Sequence, residues 1–193
     1  MKKKLLSWYY RGLAFLARKY IQKHKPLVIG INGSVGKTSC RMIVSQTVQK
    51  FLPEKVVYTS PKNFNGELGM SLSIFAIDHF LPRVYDFLYT FFHALHLVYV
   101  SRTKPYDILI LEYGIDTPGE MSFLLDIVAP DIGIFTAIDS VHSEQFGDPQ
   151  AIAQEEIKMI LATKETAFIN RDDDYAVQLY PRVNIEKFYY QTE

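Results

Sequence analysis

One cysteine, Cys40, stands among the 193 residues, so no disulfide framework can form within the chain. That fits a reducing compartment, and a cytoplasmic setting is expected. Net charge is also lacking, because 21 basic residues balance 21 acidic ones. A nucleic-acid binder working through bulk positive potential is therefore excluded, and no nucleic-acid partner is expected. The N-terminal apolar stretch is broken by Arg11 and Arg18 and is followed by no small-residue cleavage site, so it is neither a signal peptide nor a membrane span. No internal repeat or low-complexity tract is present. What the chain does have is apolar material, 48% of its residues, enough for one α/β domain with a full core.

The balanced charge is unevenly placed. Residues 1–25 hold eight basic residues (Lys2, Lys3, Lys4, Arg11, Arg18, Lys19, Lys23 and Lys25) and no acid. Leu5, Tyr9, Leu13, Leu16 and Tyr20 recur there at three-to-four spacing, which predicts a basic amphipathic helix ended by Pro26. Its expected role is packing on a domain that occupies residues 26–193. The alternative is peripheral contact with an anionic membrane at the inner face.

Beyond Pro26, short β-branched runs alternate with helical patterns. Strands are expected at 27–31, 55–59, 107–114, 131–138 and 166–170, with another near the C-terminus. Helices are expected at about 37–51, 67–77, 80–100, 118–128, 149–162 and 172–180. This alternation predicts a mostly parallel sheet covered on both faces, a three-layer α/β/α fold. In the 80–100 helix, Arg83, Asp86, Thr90, His93 and His96 make a polar stripe, and the rest is a wide apolar face that something must cover. With no third ligand beside them, His93 and His96 are expected to be stripe residues rather than metal ligands.

The chemistry centres on Gly33-Ser34-Val35-Gly36-Lys37-Thr38, between the first strand and its helix. Glycines let backbone N–H groups approach phosphate oxygens, and a helix N-terminus adds a favourable dipole. Gly33 to Thr38 together with Ser39 form the candidate ATP site. Lys37 would bind the β- and γ-phosphates and the Thr38 hydroxyl would bind Mg²⁺. The generic motif has a glycine where this chain has Ile31. Cys40, on the helix's first turn, is expected to be a small packed residue, with a reactive thiol as the alternative.

INGSVGKTS resembles the corresponding loop of the Mur ligases and folylpolyglutamate synthases, which also lack that glycine. Four further segments are similar to the Mur ligases, in particular their D-alanyl-D-alanine-adding branch: TSPKNFNGELG (59–69), LEYGIDTPGEM (111–121), PDIGIFTAIDSVHSEQFGD (130–148) and INRDDD (169–174). The resemblance implies a P-loop central domain of a ligase of peptidoglycan precursor synthesis. Such a ligase phosphorylates a carboxylate with ATP, and an amine then displaces phosphate from the acyl-phosphate. It implies Glu112 and His142 as Mg²⁺ ligands, with Thr38 and the 59–60 segment (Ser60 in particular) completing the set. Lys37, Glu112, His142 and Glu156 are then the catalytic candidates, and Asn63 and Asn65 would contact substrate. UDP-MurNAc-peptide and D-Ala-D-Ala are the implied substrates.

Two departures accompany the resemblance. Glu156 stands where the family carries a lysine that becomes carbamylated, unless a register shift lets Lys158 serve. The family's N-terminal substrate domain and C-terminal ligase domain are absent from these residues. A separate C-terminal domain or partner chain is therefore expected to complete the site. The competing readings are a non-catalytic nucleotide-binding pseudo-ligase that recruits a partner or membrane, a folylpolyglutamate-type ligase, and a generic P-loop phosphotransferase.

Overall fold

The computed structural model describes residues 2–61, 66–138 and 149–191. Pairing on β1 (Leu27–Asn32) organises the sheet. β3 (Ile108–Tyr113) lies on one side of β1 and β4 (Ile132–Phe135) on the other, both parallel to it. β2 (Val57–Thr59) extends the sheet beyond β3, and β5 (Thr166–Asn170) and β6 (Glu186–Tyr190) extend it beyond β4. The order is β2-β3-β1-β4-β5-β6, and every pairing is parallel. All the strand C-termini therefore open on one edge, where ligands of parallel α/β sheets collect.

Side-chain alternation along β1 sets the two faces. Ile29 and Ile31 point to a smaller cluster with Ile108, Ile110 and Ile134, covered by Cys40, Val44 and Val48 of α2 (Lys37–Phe51). Val28, Leu109, Leu111 and Tyr113 point to the larger cluster on the other face. That face is covered by α1 (Lys2–His24), α3 (Gly66–Ile74), α4 (Val84–Tyr99), α5 (Glu120–Ile127) and α6 (Pro149–Leu161), with α7 (Asp174–Leu179) near its end. Three layers result, as the alternating pattern predicts. Leu13, Leu16 and Tyr20 of the N-terminal stripe are buried in the larger cluster, so α1 shares the core of the sheet.

Several boundaries differ from the sequence reading. Pro82 and Pro118 precede α4 and α5 instead of sitting in their first turns, and β2 is only three residues long. More consequential is the orientation of α4. Thr90 of the supposed polar stripe is buried with Ala94 and Val98, while Tyr85, Leu88, Tyr89 and Phe92 face outward. The Tyr9 hydroxyl explains this inversion, because it shares a hydrogen bond with Thr90 and donates to Phe87 O at 2.9 Å, satisfying the α1–α4 seam.

Gly30 is a point of close approach in the core. A Cβ there would meet Pro130 Cβ and Tyr113 Cε2, each at 2.9 Å. Gly30→Ala should destabilise the fold by about 1–3 kcal/mol through overpacking. A thermal midpoint lowered by several degrees in calorimetry would bear this out, and an unchanged midpoint would refute it.

Candidate functional site

β1 delivers the chain into the Gly33–Thr38 loop at the C-terminal edge of the sheet. Gly33 has φ 130° and Gly36 φ 82°, values that side-chain-bearing residues rarely adopt. Gly36 is the N-cap of α2, and its place lets the loop turn directly into the helix. The loop is braced from β4: Ser34 N donates to Ala137 O at 2.7 Å, and Thr136 Oγ1 donates to Val35 O at 2.6 Å. Lys37 Nζ folds back over the loop and donates to Gly33 O and, at 3.2 Å, to Ser34 O. Ser34 Oγ is buried with no hydrogen-bond partner among the described residues.

Glu112 arrives from the neighbouring strand, where the parallel register sets it opposite Ile31. Thr38 Oγ1 donates to Glu112 Oε2 at 3.4 Å. Arg41, one helical turn beyond Lys37, forms a buried ion pair with Glu112, Nε to Oε1 at 2.6 Å. The same guanidinium donates to Thr59 Oγ1 at 3.4 Å and to Ser60 O. One arginine thus ties together α2, the end of β3 and the end of β2. No sequence motif marks Arg41. Its helical spacing of four from Lys37 is the only local signal, and its partners are distant in the chain.

Glu156 comes from α6 and is 1% exposed. Its Oε2 accepts from Gly33 N at 3.1 Å. Burial is the largest effect on its carboxyl and pushes the pKa up to about 7, against the opposing influence of Lys37 and the Gly33 N–H. Lys158 is turned elsewhere on the helix, pairing with Glu155 at 2.6 Å and reaching Ser122 Oγ at 3.4 Å. Of the two, Glu156 is the one that faces the loop. Cys40 is half-buried in the smaller cluster, and burial followed by the nearby Glu112 charge pushes its thiol up, opposite to an activated nucleophile.

Lys37, Thr38, Glu112 and Glu156 are thus brought to one edge, with Ser60 joined to them through Arg41. Asn63, Asn65 and His142 lie outside the described residues. No cluster of three His, Cys, Asp or Glu side chains forms among the described residues. The donors that do meet are a hydroxyl and a carboxylate, oxygen ligands of the kind Mg²⁺ takes together with water and phosphate.

A glycine loop between a central parallel strand and its helix, with an acidic strand end beside it, defines a mononucleotide-binding class of α/β domain. Within that class the chain belongs to the Mur ligase family, matching the Mur ligase middle domain over residues 31–192. It is 29% identical over 173 residues to the UDP-N-acetylmuramoyl-tripeptide–D-alanyl-D-alanine ligase of Borreliella burgdorferi, covering 90% of this chain and 31% of that protein. The chain spans about a third of the length of the curated relatives it matches. MurF ligase from Thermotoga maritima, solved in complex with ADP, superposes with TM-score 0.68 at 25% identity, covering 95% of this chain and 37% of that one. An FPGS variant from L. casei shares the fold at TM-score 0.57 and 14% identity, covering 93% and 49%.

The raised Glu156 pKa has a stability consequence. Its carboxyl titrates higher folded than at its ordinary 4.5, so its contribution is fully present below about 4.5 and is lost as pH rises through about 7. In metal- and nucleotide-free protein, wild type should lose on the order of 2–3 kcal/mol relative to Glu156→Gln across that window. Urea unfolding of both proteins at several pH values measures it. A stability difference that does not change with pH would contradict the assignment.

Proposed function

We propose that this chain is the ATP-binding domain of an ADP-forming amide-bond ligase of peptidoglycan precursor synthesis. The supporting observation is the meeting of Lys37, Thr38 and Glu112 at the end of the central strands, with the Thr38 hydroxyl 3.4 Å from the Glu112 carboxylate. Lys37 exchanges its loop carbonyls for the β- and γ-phosphates when nucleotide binds, because a phosphate is the stronger partner for an ammonium. Within the Gly33–Ser39 segment, the backbone N–H groups of Gly36 to Ser39 at the start of α2 and the buried Ser34 hydroxyl would supply donors to phosphate oxygens, while the Gly33 and Ser34 N–H groups hold the loop to Glu156 and Ala137. Thr38, Glu112, Ser60 and His142 would hold Mg²⁺, which neutralises charge on the transferring phosphoryl group.

The substrate carboxylate attacks the γ-phosphorus, ADP leaves, and the amine of the second substrate displaces phosphate from the acyl-phosphate. The name of the relatives gives the substrate classes: a UDP-MurNAc-tripeptide as the acid and D-Ala-D-Ala as the amine. Asn63 and Asn65 are assigned to substrate, and a C-terminal domain or partner chain to closing the site. Glu156 takes the place of the carbamylated lysine and supplies a negative charge once deprotonated, without needing carbon dioxide. At pH above about 7 it is an anion beside Lys37, as that role requires. The Asn-Phe-Asn and Pro-Gly-Glu segments favour this branch over a folylpolyglutamate-type ligase.

A non-catalytic nucleotide-binding module is the second reading. It draws on the same Glu156, whose side chain is several atoms shorter than a carbamylated lysine and is already held by the Gly33 N–H.

Calorimetric titration with a non-hydrolysable ATP analogue tests the nucleotide site on which both readings rest. Wild type should bind in a Mg²⁺-dependent manner, and Lys37→Ala should weaken binding by at least about tenfold, as expected for loss of a charge-assisted contact. Equal binding by both proteins, or none by wild type, would remove the reading.

A further inference from the structure

α1 turns two unlike faces outward and inward. Its inner face is the buried row of Leu13, Leu16, Ala17 and Tyr20. Its outer face carries Lys4, Trp8, Arg11, Phe15 and Lys19 at three-to-four spacing, all exposed, so cations and aromatic rings alternate along it. The Lys19 ammonium lies 5.7 Å from the Phe15 ring centroid. α4 runs parallel to α1. Tyr9 meets Phe87 near one end, and Lys23 Nζ donates to Val98 O at 2.8 Å near the other. The outer residues of α4 are Tyr85, Leu88, Tyr89 and Phe92, and a groove between the N-terminal ends of the two helices is lined by Leu5, Leu6, Pro82 and Val84. Trp8 is 76% exposed and Tyr85 74%. Side chains of this size left bare on two adjoining helices mark an interaction surface.

Charge selects the partner. No acidic residue occurs before Glu54, while the first 25 residues carry eight basic ones. Asp86 is the only acid on α4. Aromatic rings interleaved with lysine and arginine match a headgroup layer, with rings at the boundary of the acyl chains and cations on the phosphates. Among the described residues no helix is long and apolar enough to cross a membrane, so the contact is interfacial.

We propose that the outer faces of α1 and α4 dock this domain on an anionic lipid bilayer. The orientation follows from the topology. Arg11 and Tyr10 lie beside Glu67, and Glu67 lies near Glu120, the residues that open α3 and α5 after the C-terminal ends of β2 and β3. Leu5 and Trp8 lie further toward that end of the molecule, the end that carries Gly33–Thr38. The N-terminal half of the docking face therefore lies at the glycine-loop end of the domain.

Trp8 is the only tryptophan, so its fluorescence reports the contact directly. The full chain is mixed with phosphatidylcholine vesicles, with and without phosphatidylglycerol, and followed by emission and by sedimentation. Binding to the anionic vesicles alone, with a blue shift of Trp8, is expected. Arg11→Glu and Lys19→Glu should each weaken partitioning by at least about fivefold. The pair Trp8→Ser and Tyr85→Ser should weaken sedimentation by at least about tenfold. All four substitutions are at exposed positions, and an unchanged thermal midpoint verifies that each variant is folded. No sedimentation with either vesicle would overturn the proposal. So would sedimentation without a blue shift, or a blue shift that appears on concentrating the protein without lipid, which would assign the face to a second copy of the chain.

Discussion

The buried ion pair between Arg41 and Glu112 is the constraint around which the loop edge is arranged. Two opposite charges removed from water are tolerated only with close geometry and further hydrogen bonds. Arg41 supplies both, through its 2.6 Å contact to Glu112 and its donors to Thr59 and Ser60. The ends of β2 and β3 are thereby held against the first turns of α2, and Thr38 is placed beside the Glu112 carboxylate. The other side of the loop is held by Thr136, Ala137 and the buried Glu156. The loop is therefore clamped from both flanks by residues far away in the chain, and its positive-φ glycines sit in a rigid frame.

Local patterns made much of this legible. The run Leu27–Asn32 is apolar and β-branched and is followed by a glycine turn, so a buried strand and its helix could be read without tertiary information. The same holds for β3 and for the buried row on α1. For α4 the period identified a helix, yet the hydrophobic stripe did not say which side was inward. A tyrosine on another helix satisfies Thr90, and the apolar Tyr85 and Phe92 are left outside. Periodicity measures amphipathicity against an assumed core, and it misleads when the outer face is itself apolar.

In the site, Lys37, Thr38 and Glu112 are marked by motif and strand position. Glu156 is marked only by resemblance, because a lone glutamate on a charged helix face is ordinarily solvated. Its burial and its bond to Gly33 N are tertiary facts. Arg41 carried no motif at all. The groups assigned to phosphate are local in sequence, whereas most of those that hold them in place are drawn from β3, α6 and the end of β2.

The central claim, that the Arg41–Glu112 pair organises the loop edge, is tested most directly by a double-mutant cycle. Urea unfolding would be measured for wild type, Arg41→Met, Glu112→Gln and the double variant. The account predicts that Arg41→Met, which strands a buried carboxylate, loses roughly 3–5 kcal/mol. It also predicts that the double variant is no less stable than that single one. Small losses that simply add would contradict it, and would mean that the loop edge is held without the pair.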